Sequence, residues 1–467
     1  MFNFRLTTRI AIATALFALS LVHTLCGSPN TQPVQVNQSE QLPRLACQAG
    51  EVVPDEVLVT FVPGTAQNEV EVTIEKAAEA NRPVTFRQIS SELNIYLVRG
   101  RGLTKDVFLQ QLNVMNLENT VVAAEPNLVF CLESGSYDQW ALRDYSPGMP
   151  GISAVSAWTL TQGSDKVVVG VIDTGMDITH PDLEKNLWQA PASFVFRYNG
   201  KPYKCRNGWN ALDHNCNPDD SGWHGTHVAG IVGAKGGNGF GIDGVNWHVR
   251  LMPLKAFDID GSGKYAAVIE AMDFVLQAKR QGVDIRVVNN SYGARCKENN
   301  SCSVLPAFEK TLELLNRAGV LFVASAGEKG PEHDNDRFPH YPSSFPHDNV
   351  ISVAWTDKRD ELTPDSNYGF TSVDLGAPGS AIWSTIPQRY TALQGYHIKG
   401  GSSMAAPFVS GAAALVLSVC PGVEVKDLKH ILLSTVDPVD PLKGKTVTGG
   451  RLNVYKAVQK CRESIVR

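Results

Sequence analysis

Apolar and polar positions in the first part of the chain repeat with the periods of strands and helices. Residues 56–61 and 93–98 alternate as strands do, whereas residues 70–80 and 106–116 have helical spacing. The apolar segment 121–127 follows them. This β-α-β-α-β order predicts a separate small α+β domain of the ferredoxin-like type, with a core of its own.

Beyond residue 145 the apolar positions form longer runs. Residues 166–172 are almost entirely Val and Ile, which is typical of a strand buried on both faces. Helical spacing over 265–280 and 305–317 alternates with the apolar segments 284–290 and 320–326. Because helices and strands alternate, we predict an α/β fold of three layers with a mainly parallel central sheet. Functional side chains are then expected at the carboxyl ends of its strands.

Composition and charge exclude one large class of function. The 467 residues are 43% apolar and 19% charged, and their formal net charge is −5. These values are typical of a soluble globular protein with room for more than one domain. A nucleic-acid-binding protein would need a basic surface, so that class is disfavoured.

The N-terminus has the pattern of an export signal. Arg5 and Arg9 precede an apolar stretch, residues 10–22, that is short for a membrane span. An uncleaved membrane anchor is the alternative. We therefore predict a signal peptide over residues 1–27 and a secreted protein, either extracellular or periplasmic.

The chain contains nine cysteines. Cys26 would leave with the signal, and its lipidation is disfavoured because Leu25 is not a small residue. The remaining even number favours disulfides in an exported chain, and the absence of any C-x-x-C pair argues against zinc and redox motifs. Proximity and domain limits suggest the pairs Cys205–Cys216, Cys296–Cys302, Cys420–Cys461 and Cys47–Cys131.

Three polar residues lie at positions where the predicted fold would place functional side chains. Asp173 ends the first buried strand, His224 lies in a Gly-rich segment before small residues, and Ser403 lies between glycines and a helix start. That helix start should present the Ser403 hydroxyl to solvent, and Pro407 should fall in the first helical turn. Taken singly, these residues could be a turn aspartate, a structural histidine and a helix cap. The pair His224 and His227 lacks the glutamate of a zinc-binding H-E-x-x-H motif.

Taken together, the three segments resemble the signatures of the subtilisin-like serine proteases, the subtilases. The resemblance rests on V-I-D-T-G at Asp173, H-P-D-L from His180, H-G-T-H-V-A-G from His224 and G-S-S-M-A-A-P around Ser403. It runs from about residue 140 to about residue 454. An α/β-hydrolase is excluded because Ala405 breaks the G-x-S-x-G motif.

The resemblance implies the roles of the three residues. Ser403 would attack the peptide carbonyl, His224 would carry the proton, and Asp173 would orient and stabilise the imidazole. The small domain is similar to the inhibitory propeptides of the family, including residues 125–127. The implied domains are a signal peptide (1–27), a linker (28–46), an inhibitory propeptide (47–133) and a peptidase domain (134–467).

The resemblance also implies a substrate cleft with one departure from the family. Extended peptides would pair with two segments, Ser291-Tyr292-Gly293 and Ala324-Ser325-Ala326-Gly327. The family usually has Asn after the second segment, where its amide donates to the oxyanion, but this chain has Glu328. An ionised carboxylate cannot donate, so a weakened or acid-shifted enzyme is expected.

Calcium is the one cofactor that the resemblance suggests. Gln139, Asp182 and Asn238 fall where subtilases often hold a stabilising calcium ion, although turn chemistry explains the loop at Asn238 equally well. No cofactor is expected for catalysis itself.

The sequence therefore predicts a secreted serine endopeptidase made as a zymogen that processes itself. Its partners would be an extended peptide substrate and its own propeptide, with no nucleic acid. A membrane would be involved only if the N-terminus is retained or Cys26 is lipidated. The alternative from another class is a catalytically silent binding protein with the same fold, which Glu328 favours. A cell-surface structural module is a third possibility.

Overall fold

The computed structural model describes residues 52–77, 84–114, 118–132, 139–145, 150–295, 305–328, 333–390 and 395–465. All of these residues fall in one contact unit, residues 45–467. The α-helices are α1 Gln67–Ala77, α2 Lys105–Val114, α3 Ala154–Trp158, α4 His224–Gly233, α5 Tyr265–Arg280, α6 Pro306–Arg317, α7 Ser402–Val419, α8 Val425–Ser434 and α9 Val454–Ile465.

The strands lie in two main sheets and two short hairpins. They are β1 Val52–Phe61, β2 Thr85–Ser90, β3 Ile95–Arg99, β4 Val121–Leu132, β5 Gly163–Asp173, β6 Phe196–Tyr198, β7 Lys201–Tyr203, β8 Trp209–Asn210, β9 His248–Lys255, β10 Ser262–Lys264, β11 Ile285–Asn290, β12 Tyr292–Arg295, β13 Leu321–Ser325, β14 His340–Tyr341, β15 Val350–Thr356, β16 Leu375–Pro378, β17 Ile382–Thr385, β18 Tyr396–Lys399, β19 Asp437–Pro438 and β20 Gly450–Arg451.

The first four strands form an antiparallel sheet in the order β4-β1-β3-β2. Alternation along β1 gives this sheet two apolar faces. Val57, Val59 and Phe61 pack with α1 and α2, whereas Leu58 belongs to the core that includes α5 and α6. The small sheet is therefore held between its own helices and those of the larger part of the protein.

The larger sheet is mostly parallel and has the order β19-β20-β16-β15-β13-β11-β5-β9-β8. Its neighbours are parallel except for the edge pair β19 and β20. The last seven residues of β5 are all buried, as the Val/Ile run predicts. The α/β fold with a parallel sheet is thus confirmed.

Helix α7 crosses behind the centre of this sheet, in contact with β5, β11, β13 and β15. Small residues allow the close approach, since a Cβ on Gly411 would lie 2.7 Å from Val245. Among the described residues, α7 is the one helix long and apolar enough to span a membrane, but 89% of it is buried inside the protein. Such burial is typical of the core helix of a globular fold.

Two details of the sequence-based prediction were wrong. The small domain contains an additional strand, β2, so its order is β-α-β-β-α-β, which is the full ferredoxin-like pattern. Its six residues have only two buried positions, and the apolar signal is correspondingly weak. Pro407 is the sixth residue of α7, beyond its first turn, because the helix begins at Ser402.

Candidate active site

Asp173 is the last residue of β5 and is completely buried. Its Oδ1 accepts a hydrogen bond from the Thr174 N–H at 2.7 Å. The Nδ1 atom of His224 lies 2.9 Å from Oδ1 and 3.0 Å from Oδ2. Burial raises the pKa of the Asp173 carboxyl, while the charge and hydrogen bond of His224 lower it.

His224 is the first residue of α4, and a close backbone contact brings it to Asp173. A Cβ on Gly225 would lie 2.0 Å from the Gly175 carbonyl oxygen and 3.0 Å from the Asp173 Cβ. The Gly225 N–H also donates to Thr174 Oγ1 at 2.9 Å. Glycine is therefore required for α4 to begin beside the end of β5.

Ser403 is the second residue of α7, and its hydrogen bonds follow from the absence of a backbone N–H at Pro407. Pro407 has no N–H, so the Ser403 carbonyl has no helical partner four residues later. The Ser291 hydroxyl replaces that partner and donates to this carbonyl at 2.8 Å. In return, Ser403 Oγ donates to the Ser291 carbonyl at 3.1 Å.

The expectation that the Ser403 hydroxyl faces solvent was wrong, because Ser403 is completely buried. The hydrogen bonds with Ser291 enclose it on one side. On β12, which begins one residue after Ser291, Tyr292 pairs with Leu132 of the small domain. The small domain thus ends its last strand beside the serine.

A buried polar chain behind Ser403 was not evident from the sequence. Asn289 Nδ2 donates to Ser291 Oγ at 2.9 Å, and Ser410 Oγ donates to Asn289 Oδ1 at 2.8 Å. Asn289 lies on β11 and Ser410 on α7, so the chain fixes the helix to the sheet. The sequence signal for this polar chain was the presence of small polar residues within an otherwise apolar strand and helix.

Strand β4 lies between β10 and β12 and is antiparallel to both. Along β10, Val129 is opposite Lys264 and Cys131 is opposite Ser262. Along β12, Cys131 is opposite Gly293. The backbone of one predicted cleft segment, Ser291-Tyr292-Gly293, thus adjoins the extended backbone of β4.

The other predicted cleft segment lies at the carboxyl end of β13. Ala324 and Ser325 are the last residues of this strand and are buried. The Ala326 carbonyl accepts a hydrogen bond from Asn335 Nδ2 at 2.7 Å, and Gly327 has φ +100°. The pairings of β4 among the described residues involve β1, β10 and β12, not this segment.

Glu328 directly follows Gly327 at this edge of the sheet. It forms an isolated antiparallel bridge with Ser366 and is half-buried. The neighbouring Asn367 donates its backbone N–H to the Gly327 carbonyl at 2.9 Å. The backbone around Glu328 is therefore fixed from the Ser366 and Asn367 side.

The last residues of the small domain hold two helices of the larger part at their N-termini. Glu125 Oε1 accepts the Ala307 N–H of α6 at 2.9 Å, and Asn127 Oδ1 accepts the Ala266 N–H of α5 at 3.1 Å. First-turn N–H groups have no partner within their own helix, so these acceptors stabilise both helix starts.

Gln139, Asp182 and Asn238 lie close to one loop. Gln139 Nε2 donates to the Asp243 carbonyl at 3.0 Å, and Asn238 Nδ2 lies 3.4 Å from Asp182 Oδ1. A Cβ on Gly241 would lie 2.0 Å from Asp182 Oδ2. The loop backbone therefore closes tightly over this carboxylate.

Two of the suggested disulfides fall within the described residues. Cys205 is bonded to Cys216 with a Cα–Cα distance of 4.9 Å, and Cys420 is bonded to Cys461 with 6.3 Å. The pairs Cys296–Cys302 and Cys47–Cys131 lie outside the residues whose side chains the structure describes.

Residues 164–455 match the Subtilase family. The chain is 34% identical over 323 residues to "Subtilisin-like protease 2" of Plasmodium falciparum (isolate 3D7), covering 68% of this chain and 22% of that protein. It is 30% identical over 450 residues to the "Thermophilic serine proteinase" of Bacillus sp. (strain AK1), covering 95% of this chain and 98% of that protein. It is 31% identical to "Thermitase" of Thermoactinomyces vulgaris, covering 68% and 96% respectively.

A solved structure shares the overall fold. Fervidolysin from Fervidobacterium pennivorans, described as a keratinolytic enzyme related to subtilisin, superposes with a TM-score of 0.65 at 23% identity. The match covers 90% of this chain and 64% of that chain. The chain thus spans about a fifth of the length of the Plasmodium relative, about two thirds of the fervidolysin chain and nearly all of the two bacterial proteinases.

Glu125 should make the stability of the intact chain depend on pH. Burial raises the pKa of Glu125 to about 8, although the Ala307 N–H, the Tyr265 hydroxyl and the charge of Lys105 lower it. The folded protein therefore keeps a proton that the unfolded chain, with an ordinary pKa of 4.5, releases. The resulting stabilisation is complete below pH 4.5 and is lost as pH rises through 8.

Glu125→Gln should remove this dependence, since the amide keeps an oxygen for Ala307 but does not titrate. Melting temperatures would be measured from pH 5 to 9 on full-length Ser403→Ala protein with and without Glu125→Gln. We expect the parent to lose stability relative to the variant as pH rises, while an exposed control, Glu184→Gln, changes nothing. A constant offset between parent and variant across this range would contradict the assignment.

Proposed function

This chain belongs to the subtilase family, and we propose that it is a secreted serine endopeptidase with Asp173, His224 and Ser403 as its catalytic triad. The observation that carries the proposal is the buried hydrogen bond between Asp173 and His224, formed where β5 ends and α4 begins, with α7 in contact with both elements. In this arrangement the carboxylate holds Nδ1 of the imidazole, so Nε2 is the atom available for proton transfer.

Peptide hydrolysis then proceeds in two halves. Ser403 Oγ attacks the carbonyl carbon while His224 Nε2 takes its proton, and the C–N bond breaks as His224 returns that proton to the leaving amine. Water attacks the resulting acyl-enzyme by the same route and regenerates Ser403. Asp173 stays ionised and stabilises the imidazolium that forms twice in the cycle.

Substrate would bind as an added strand. The pairing of β4 with β10 and β12 supports this, because a peptide in place of β4 would find the same backbone donors and acceptors. Main-chain pairing favours an extended conformation over one strict sequence.

The small domain would be an inhibitory propeptide. Its last strand occupies the proposed substrate position and ends at Leu132, opposite Tyr292. Cleavage is expected between residues 132 and 138, of which 133–138 lie outside the described residues. The helix contacts of Glu125 and Asn127 would also let this domain assist folding.

Export from the cell is supported by the chemistry of the described cysteines. Cys205–Cys216 and Cys420–Cys461 are bonded, as expected in an oxidising compartment. The predicted signal over residues 1–27 lies outside the described residues.

Calcium would stabilise the loop over Asp182. The residue types present fit this ion, because a carboxylate and two side-chain amides at one loop carry the hard oxygen donors it takes. Its role would be structural.

A catalytically silent binding protein is the second candidate, and Glu328 is the observation that favours it. An ionised Glu328 would oppose the negative charge on the substrate oxygen, leaving the Ser403 N–H and the α7 dipole to stabilise it. We favour the enzyme because a buried Asp–His pair, on a strand and a helix that both contact the serine-bearing α7, has no evident use in binding alone.

The proposed function predicts that a fluorophosphonate probe labels the mature protein at Ser403. Labelling of purified protein would be followed from pH 4 to 9. Ser403→Ala should abolish labelling, and Asp173→Asn should slow it by about 10³- to 10⁴-fold because the imidazole tautomer is lost. Ser418→Ala, at the far end of α7, is the matched control. If propeptide-free protein is not labelled at any pH, the silent binding protein becomes the better assignment.

The oxyanion position predicts a gain of activity. Glu328→Asn should raise kcat/KM at neutral pH by about 10²- to 10³-fold, because an amide donor replaces a carboxylate. The unmodified enzyme should gain activity toward acidic pH, whereas the Asn variant should not. Glu361→Asn, an exposed substitution, controls for charge. An unchanged rate at neutral pH would show that Glu328 is not at the oxyanion.

The calcium proposal predicts a lower melting temperature in EDTA. We expect a decrease of several degrees that excess Ca²⁺ reverses, and a smaller EDTA effect in Asp182→Asn, which lacks the carboxylate ligand. The same melting temperature with and without EDTA would remove calcium from this site.

A further inference from the structure

Lys399 connects the two chain segments that carry His224 and Ser403. It is the last residue of β18 and is followed by Gly400 and Gly401, after which α7 begins. Its Nζ lies 4.3 Å from the ring centroid of Trp223, the residue immediately before His224. Trp223 is buried, and its ring contacts that of His224 edge-on with 5.3 Å between centroids.

The Lys399 ammonium lies on an aromatic face, and no carboxylate of the described residues forms an ion pair with it or shifts its pKa. In the described part of the chain, burial is the one cause that shifts its pKa, which falls to about 8. The lysine is therefore still mostly charged at pH 7. The described groups whose pKa responds to its charge, His227 and His397, are basic as well, and the charge of Lys399 lowers the pKa of both. A desolvated cation without an anion is an unfavourable arrangement that a ligand carboxylate would relieve.

The direction of β4 shows which side of the scissile bond this cation faces. From Val129, opposite Lys264, the strand runs to Leu132, opposite Tyr292, and so toward Ser291 and Ser403. A substrate bound in this direction places the residues before the scissile bond on β10 and β12. The leaving peptide must then continue past Ser403, away from those strands. Trp223 directly precedes His224, and β18 ends four residues before Ser403, so both adjoin catalytic residues along the chain without belonging to β10 or β12.

We propose that Lys399 and Trp223 form a subsite for an acidic side chain in the first or second residue after the scissile bond. The inference rests on the proposed peptidase function and assigns it a preference on the leaving-group side. A substrate carboxylate would pair with Nζ, while the indole face holds the ammonium in position. The pairing would be strong for a surface site because Lys399 is already partly removed from water.

Matched peptides test this preference. Internally quenched substrates would share one sequence before the scissile bond and carry Glu, Gln or Lys at the first or second position after it. We expect kcat/KM to be about five- to tenfold higher for Glu than for Gln in at least one position, and lowest for Lys. In Lys399→Met the Glu/Gln ratio should fall to about 1, and in Lys399→Glu it should invert. The ratio within each variant cancels any general change in activity.

The controls separate this inference from the proposed function. Lys426→Met removes one exposed lysine of α8 and should leave the Glu/Gln ratio as it is. Hydrolysis of the Gln peptide reports on the peptidase itself. If no peptide is cleaved, Ser403→Ala protein would be folded as the full chain, freed of its small domain by an added protease, and titrated with the same peptides. There the Glu peptide should bind about fivefold more tightly, and Lys399→Met should abolish the difference. Equal rates and equal affinities for Glu and Gln peptides would overturn the proposal.

Discussion

The candidate site depends on a carboxylate that is buried at the end of a strand. Asp173 is removed from water, so its charge must be matched by hydrogen bonds and by a cation or dipole nearby. The Thr174 N–H and the His224 imidazole supply those contacts. His224 can contact the Asp173 carboxylate only if α4 begins beside the end of β5. The need to compensate the buried charge of Asp173 therefore fixes how this helix and this strand meet. Gly225 satisfies the steric side of the same requirement.

A second constraint positions Ser403, and it arises because one backbone hydrogen-bond donor of α7 is absent. In an uninterrupted helix the carbonyl of Ser403 would be bonded four residues later, but Pro407 cannot donate. The Ser291 hydroxyl, anchored through Asn289 and Ser410, takes over that carbonyl. The irregularity of α7 thereby becomes a contact with Ser291, between β11 and β12, and β12 is one of the strands that pair with β4. A regular helix would have satisfied this carbonyl internally and left the serine less firmly tied to the sheet.

Much of this arrangement could be predicted because the responsible patterns are long. The Val/Ile run of β5 predicts a buried strand, and a carboxylate after it can only lie at the sheet edge. Short elements were missed for the opposite reason. Strands β6 and β7 have three residues each, and β8 has two, which is too few for any period to appear. Their aromatic side chains pack on α5, with Phe196 and Phe274 at 4.8 Å and Phe196 and Trp209 at 4.7 Å between ring centroids.

The burial of Ser403 and the full length of β4 could not be predicted either, and here the reason is tertiary structure. Local sequence predicts a strand over residues 121–127, but β4 continues to Leu132 because β10 and β12 pair with it. Those partners are far away along the chain, and their pairing is a tertiary effect. The same holds for Lys399, whose unusual environment arises from Trp223, 176 positions earlier in the sequence.

The two sides of the proposed cleft would use different physical interactions, and this difference would affect selectivity. Before the scissile bond, β10 and β12 would offer the backbone pairing that they now give to β4, which any extended chain satisfies and which discriminates weakly between sequences. After it, in the subsite that we propose, Lys399 would offer a partly desolvated charge, whose interaction changes sign with the charge of the bound residue. Backbone pairing contributes affinity that does not depend on the sequence of the bound peptide. The selectivity of such a cleft therefore depends on the few positions where a substrate side chain contacts a charged group of the enzyme. On the described surfaces of this protein, the side of the leaving peptide is where we infer that this occurs.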